Sequence, residues 1–131
     1  MNRWIVIPLL ILLLCFGNYS FAAHRHKERE YQEAWCTAHN GTLEYVLDDG
    51  ARVDCLTEEY AVEFDFAPKW AEAIGQSLYY SLKTGKRPAV VLIIERGGGE
   101  REMRRLRSVS ERYGIMVWTM RPEKIKGSRP I

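Results

Sequence analysis

Residues 60–94 read YAVEFDFAPKWAEAIGQSLYYSLKTGKRPAVVLII, and they predict a strand, a helix and a second strand in succession. Apolar and other residues alternate over Tyr60–Phe66, which is typical of a strand with two different faces. Pro68 suits the first turn of a helix that runs to about Thr84. The apolar run Ala89–Ile94 has the length of a central strand that is buried on both faces.

The helix between these strands has two distinct sides. Its apolar residues recur at four-residue spacing, which predicts a stripe that packs on the sheet: Trp70, Ile74, Leu78 and Leu82. Lys69, Gln76 and Tyr80 lie along another side, with Gln76 and Tyr80 one turn apart. We therefore expect this second side to be available for polar interactions.

The flanking segments extend the same pattern. A helix is predicted over Glu28–His39, and two strands, Thr42–Leu47 and Ala51–Thr57, flank an Asp-Asp-Gly turn. A further helix is predicted over Glu100–Tyr113 and a last strand over Ile115–Met120. The resulting order, αβββαβαβ, predicts an α/β domain with a mixed central sheet flanked by helices.

Composition limits the class of protein. The chain has 131 residues, of which 47% are hydrophobic and 27% are charged, so it supports one small domain and excludes a repeat array or a disordered polyelectrolyte. The net charge of +2 is too small to indicate nucleic-acid binding by itself.

The first 22 residues have the composition of a secretory signal peptide. Arg3 precedes an apolar run from Trp4 to Gly17, and small residues precede a plausible cleavage site between Ala22 and Ala23. The run is shorter than the ~20 residues that a spanning helix needs, so no membrane anchor is expected after cleavage. We therefore expect an exported bacterial protein, periplasmic or secreted, in which residues 23–131 form a single domain with a basic C-terminal tail. Residues 24–29 are charged and are expected to be frayed.

Two cysteines, Cys36 and Cys55, follow the predicted signal peptide. In an oxidising compartment an even pair favours one disulfide. The alternatives are two buried thiols or a metal site, but His39 is the only additional metal-ligating residue close to them in sequence. The disulfide is therefore the preferred interpretation.

Three acidic residues are predicted to lie close together on two neighbouring strands. Alternation places Glu63 and Asp65 on one face of their strand, and Asp54 lies on the preceding strand across a short turn. Hard divalent cations such as Mg²⁺ prefer oxygen ligands of this kind, and such an ion can orient water against a phosphodiester. Lys69 begins the next helix, so its ammonium group could reach these carboxylates.

The acidic segment resembles the PD-(D/E)XK nuclease superfamily, which includes restriction endonucleases and archaeal-type Holliday junction resolvases. The resemblance rests on Asp54, on Glu63-Phe64-Asp65 and on Gln76 with Tyr80, and it covers roughly residues 28–120. It implies a restriction-endonuclease-like core of order αβββαβαβ and a nuclease that uses Mg²⁺ or Mn²⁺.

The resemblance also implies roles for individual residues. Asp54 and Glu63 match the metal-binding acids of the family, with Asp65 as a further candidate ligand. Gln76 and Tyr80 match the Q-x-x-x-Y element of some members. A glutamate on the first helix often supports the metal in resolvase-like members, and the candidates are Glu28, Glu30 and Glu33, of which Glu30 is our choice.

One departure from the family pattern affects the expected activity. Asp65 occupies the position of the family's catalytic lysine, so Lys69, on the following helix, would have to replace it. If Lys69 cannot do so, the domain keeps the fold without hydrolysis.

The C-terminal part of the chain is basic. Residues 95–131 contain 10 basic and 5 acidic side chains, which favours a phosphate-bearing partner such as DNA, although an ordinary solvated helix face remains open. Two functions follow. The first is an exported metal-dependent nuclease or nuclease-like DNA-binding protein. The second is an inactive nuclease-fold module that binds or assembles with a protein partner in the cell envelope.

Overall fold

A computed structural model of the chain describes residues 23–95 and 97–125. The predicted signal peptide and its cleavage site, Arg96 and the end of the basic tail lie outside the described residues. Within these two ranges, no helix is long and apolar enough to cross a membrane.

The order of elements confirms the predicted αβββαβαβ arrangement. The helices and strands are α1 (Glu28–Ala38), β1 (Thr42–Val46), β2 (Arg52–Leu56), β3 (Tyr60–Phe66), α2 (Trp70–Thr84), β4 (Arg87–Ile93), α3 (Glu100–Tyr113) and β5 (Met116–Met120). Short 3₁₀ turns cover Ala67–Lys69 and Pro122–Lys124. The turn at Ala67–Lys69 contains the Pro68 from which an α-helix was predicted, so α2 itself begins at Trp70.

The five strands form one mixed sheet in the order β1-β2-β3-β4-β5. The pairs β1–β2 and β2–β3 are antiparallel, whereas β3–β4 and β4–β5 are parallel. The apolar strand β4 has a partner on each side, as predicted, and its residues 89–93 are buried. The sheet is flanked by three helices, which confirms the predicted α/β class.

The two faces of the sheet bury different sets of side chains. Val62 and Phe64 of β3 belong to one apolar cluster with Tyr31 and Trp35 of α1. On the opposite face, Val90 and Leu92 of β4 pack with Ala73 of α2 and Leu106 of α3. This alternation along neighbouring strands is what places Glu63 and Asp65 away from the α1 cluster.

The predicted apolar stripe of α2 is wrong in its C-terminal half. Leu78 is 39% exposed and Leu82 is 80% exposed, whereas the buried residues of α2 are Ala73, Ser77 and Tyr80. Spacing by four drifts around a helix of 3.6 residues per turn, and small side chains permit close helix–sheet packing. The buried face therefore follows the small residues and then Tyr80.

The segment before α1 is bound to the core, which differs from the frayed segment predicted there. The buried carboxylate of Glu95 accepts hydrogen bonds from the backbone N–H groups of Arg25 and His26, each at 2.9 Å. It also accepts one from Tyr31 Oη at 2.9 Å and is 2.9 Å from His24 Nδ1. The ring of His24 stacks on Phe66 with 3.5 Å between centroids.

The predicted disulfide between Cys36 and Cys55 is present and joins α1 to β2. Gly41 lies directly against it, because a Cβ atom at this position would come within 3 Å of both sulfur atoms. Cys55 is the neighbour of Asp54, so the disulfide fixes the backbone next to the candidate site.

Candidate functional site

The site lies where β2 and β3 separate. Their antiparallel register runs through only two pairs, Cys55↔Val62 and Leu56↔Ala61. Beyond these pairs, the N–H of Phe64 donates to Asp54 Oδ2 at 2.8 Å. The carboxylate of Asp54 thus accepts this hydrogen bond in place of a backbone carbonyl group of β2. The carboxylate of Asp54 is thereby fixed in the gap between the two strands.

Glu63 lies in the same gap and is only 4% exposed. Its Oε1 accepts a hydrogen bond from Gln76 Nε2 of α2 at 2.7 Å. Its Oε2 is buried and receives no hydrogen bond from any donor in the described ranges. An ionised carboxylate in this position is costly, because buried polar atoms are stable only when they are paired.

Asp54 and Glu63 titrate as a pair. Burial raises the pKa of Glu63 strongly, and the nearby charge and hydrogen bond of Asp54 raise it further. Burial also raises the pKa of Asp54, although hydrogen bonds from Phe64 and Glu63 oppose the increase. A proton on Glu63 can be donated toward Asp54, so in the absence of a cation the pair shares a proton at neutral pH.

Asp65 is held apart from this pair by its own partners. Its Oδ1 accepts from the N–H of Phe66 at 3.0 Å and lies 3.9 Å from Nζ of Lys69. Burial raises the pKa of Asp65 to about 6, and the charge of Lys69 opposes this increase. The ammonium group of Lys69 does reach the acidic cluster, with a side chain that is 59% exposed.

The first helix contributes Glu28 and Gln32 to the site, where Glu30 was expected. Glu30 Oε2 instead accepts from the N–H of Lys27 at 2.7 Å, as part of the N-terminal cap of α1. Burial and the charges of Asp54 and Asp65 raise the pKa of Glu28 to about 7.

Gln32 links α1 to β2. Its Nε2 donates to Glu28 Oε1 at 3.1 Å, and a hydrogen bond from Gln32 also lowers the pKa of Asp54. Glu28 and Gln32 are four residues apart in the sequence, a spacing that could have indicated this pair. Glu33, the third candidate, instead pairs with Arg29.

Tyr80 supports Gln76 from one turn further along α2. Gln76 Nε2 also lies 3.4 Å from Tyr80 Oη, and burial raises the pKa of Tyr80, which therefore stays protonated. The predicted one-turn spacing of these two residues thus places both on the side of α2 that faces Glu63.

Glu44 of β1 is a further residue beside the site, and no sequence pattern predicted it there. The paired residues Leu43↔Cys55 and Tyr45↔Val53 flank Glu44 on β1 and Asp54 on β2. The φ of Glu44 is 51°, in the left-handed region inside a strand. Its side chain lies 3.1 Å from Arg52 and 3.7 Å from Arg29, and its charge raises the pKa of Asp54. A glutamate in this conformation is strained by about 1 kcal/mol.

The residues fit a hydrated hard cation better than a fully protein-ligated one. Across residues 23–95 and 97–125, no three His, Cys, Asp or Glu side chains converge closely enough to hold one metal ion, so the predicted set of three carboxylate ligands is not assembled. Mg²⁺ commonly keeps several waters and uses only one or two carboxylates. The unsatisfied Oε2 of Glu63 beside Asp54 supplies donors of that kind.

The chain was compared with family models, curated proteins and solved structures. No family model, no curated protein and no solved structure matches it. The function of the site therefore has to be argued from its own geometry.

Proposed function

We propose that this domain is a nuclease-like protein that uses a divalent cation to bind and hydrolyse a nucleic-acid backbone. The observation that carries the proposal is the buried, unsatisfied Oε2 of Glu63 beside the carboxylate of Asp54. A proton or a cation must compensate this pair, and a hard divalent cation is the partner that carboxylate oxygens prefer.

In the proposed site, two carboxylates bind the cation and the groups around them hold those carboxylates in position. Asp54 and Glu63 would hold Mg²⁺ or Mn²⁺, which when bound supplies an activated water and offsets charge on the phosphate. Gln76 orients Glu63 by donating to Oε1, and Tyr80 lies against Gln76. The backbone N–H of Phe64 fixes Asp54.

Lys69 is the residue that we propose takes the part of the missing family lysine. Its ammonium group lies 3.9 Å from Asp65 Oδ1, and more than half of the Lys69 side chain is exposed. It can therefore turn toward an incoming phosphate, while Asp65 keeps it near the site.

The basic helix α3 supports a polyanionic partner. It carries five exposed arginines, Arg101, Arg104, Arg105, Arg107 and Arg112, and it contacts the 3₁₀ turn that contains Lys69. Arg101 pairs with Glu102, whereas the other four have no ion pair within the described part of the chain. Unpaired surface arginines can bind phosphates directly.

The test is incubation of the oxidised protein with labelled linear and branched DNA in the presence of Mg²⁺ or Mn²⁺. We expect Glu63→Gln to lower the rate of cleavage by at least about 100-fold, the size typical of losing one preorganised transition-state group. Lys69→Met should lower it by a similar factor. Lys83→Met, near the C-terminal end of α2, is the matched lysine control, because Lys83 pairs with Asp48 away from the site.

A second function is favoured by the position of Asp65. This carboxylate stands where the family has its lysine, and Lys69 pairs with it. This second function is that of an inactive binding module of the cell envelope. Retention of DNA without products, equally well with and without divalent cations, would support it. Failure to retain nucleic acid at low salt would favour a protein partner instead.

A further inference from the structure

An open cavity of about 540 Å³ lies at the beginning of β3, and its walls are largely aromatic. Trp35 of α1, Tyr60 of β3 and Trp118 of β5 contribute rings to it. None of these residues belongs to the candidate site at Asp54 and Glu63. The cavity is therefore separate from the candidate site.

The rings are arranged at steep angles to one another. The indole of Trp118 lies 5.0 Å from that of Trp35 at 53°, and 5.2 Å from the ring of Tyr60 at 87°. Trp118 and Tyr60 are only partly buried, so they present ring surface to solvent. Ring faces that point in several directions attract a cation through their quadrupoles.

The charges at the rim leave one carboxylate without a partner. Glu59 pairs with Arg87, whose guanidinium lies 5.0 Å from the centroid of the Tyr60 ring and does not line the cavity. The carboxylate of Glu58 makes no ion pair or hydrogen bond within the described part of the chain. The ammonium of Lys86 is bound to the Glu58 carbonyl oxygen at 2.5 Å, and Lys86 does not line the cavity.

Apart from the carboxylate of Glu58, few side-chain hydrogen-bond acceptors remain for a ligand in this cavity. Thr57 Oγ1 is occupied by the backbone of Tyr60, accepting from its N–H at 2.9 Å, and His39 Nδ1 is 2.7 Å from the carbonyl of Trp35. A lysine ammonium group has three N–H donors and is strongly hydrated, and the carboxylate of Glu58 alone cannot replace the water that the group would lose against the rings. A methylated ammonium group has its charge without such donors.

We propose that this cavity binds a small organic monocation with a methylated ammonium group, against the exposed ring surface of Trp118 and Tyr60 and near the carboxylate of Glu58. This site is independent of the proposed nuclease function, because it shares no residue with it. The ligand class follows from aromatic faces, a single unpaired negative charge and few free acceptors.

The test uses choline as the probe and proton–nitrogen correlation NMR of the indole N–H groups as the measurement. The signals of Trp118 and Trp35 should shift on titration, whereas Trp70, which lies outside the cavity, should not. The neutral carbon analogue of choline has the same shape without the charge. Equal binding of this analogue would show simple apolar association and would overturn the proposal.

Two variants make the result specific. Glu58 is exposed, so the variant Glu58→Gln should fold normally. Loss of the charge should weaken choline binding about fivefold. Trp118→Leu should abolish binding, while Glu111→Gln, an exposed glutamate on α3, should leave it unchanged. An unchanged affinity in Glu58→Gln, or tighter binding of lysine methyl ester or of a neutral disaccharide, would contradict the proposed ligand class.

Discussion

Glu63 on β3 and Glu95 immediately after β4 are both buried, but their surroundings are opposite. Glu95 is close to four partners from the segment before α1 and from Tyr31. Burial alone would raise the pKa of Glu95, but hydrogen bonds from the backbone N–H groups of His26 and Arg25, with those of Tyr31 and His24, lower it below the usual value. Glu63 has one donor, Gln76, and its pKa is raised.

The difference separates a structural carboxylate from one that is available for a ligand. A buried charge is stable when protein donors satisfy it, and Glu95 meets this condition within the fold. Glu63 does not, and its neighbours Asp54 and Asp65 add like charge. We infer that Glu95 stabilises the domain, whereas Glu63 lowers its stability when no cation is bound.

The same isosteric substitution should therefore have opposite effects at the two positions. Glu95→Gln places an amide group against backbone donors and should lower the free energy of unfolding by about 3 kcal/mol. Glu63→Gln removes the need to protonate a buried carboxyl group and should raise it by about 2 kcal/mol at neutral pH without metal. Urea unfolding of both variants measures these changes. Destabilisation of similar size in both would remove the distinction.

A divalent cation should stabilise the protein through Glu63 and not through Glu95. At ten times its Kd, Mn²⁺ should add about 1.4 kcal/mol to the free energy of unfolding by mass action. The increase should vanish in Glu63→Gln and persist in Glu95→Gln. Thermal unfolding with Mn²⁺ and with a chelator measures it, and a Mn²⁺ effect that survives in Glu63→Gln would place the ion elsewhere.

The two regions should also give opposite pH dependences in metal-free protein. Glu28 and Asp65 have raised pKa values of about 7 and about 6, so the folded state holds protons that the unfolded state has lost. Stability is then full below the unfolded values of 4.5 and 3.8 and falls as the pH rises toward 7. The strongly raised pKa of Glu63 contributes in the same direction and accounts for most of the fall. Because Glu28 is partly exposed and water screens its charge, we expect Glu28 and Asp65 to add about 1 kcal/mol.

Glu95 contributes with the other sign. Its lowered pKa gives stability that is present above its ordinary value of 4.5 and is lost as the pH decreases further. Urea unfolding from pH 4 to pH 7.5 in a chelator should show stability falling toward high pH. The fall should be reduced most in Glu63→Gln and by a smaller amount in Glu28→Gln. Stability that rises steadily to neutral pH would contradict the raised pKa values.

Much of the fold was predictable because the local signals agreed. The alternation in β3, the apolar run in β4 and the cysteine pair all predicted what the structure contains. The approach of Lys69 to Asp65 was also predictable, because both residues lie close to one turn. These features depend on short-range spacing, which the sequence displays directly.

Other features depend on packing that no local pattern specifies. The buried side of α2 was misassigned because Leu82 is exposed while Ala73 and Ser77 lie against the sheet. The docking of residues 24–26 depends on Glu95, about 70 residues away in the chain. The choice of Glu28 over Glu30 depends on how α1 is rotated over the strands.

The left-handed conformation of Glu44 gives the smallest predicted effect, and it tests whether backbone strain accompanies the destabilised region around Asp54 and Glu63. The strain at Glu44 lies beside Asp54, which shares a proton with Glu63 in the candidate site. Glu44→Gly removes that strain and loses only partly exposed ion pairs with Arg52 and Arg29, so it should raise the free energy of unfolding by about 0.5 kcal/mol.

The matched control is Tyr45→Gly, the next residue of the same strand, where glycine has no conformational advantage and should destabilise by about 1 kcal/mol. If Glu44 also positions Asp54 across the strand pair, Glu44→Gly should bind Mn²⁺ more weakly even though the protein is more stable. Stability and metal affinity would then change in opposite directions in one variant, as expected for a strained residue that supports a site. A variant with unchanged Mn²⁺ affinity would show that the conformation of Glu44 serves β1 alone.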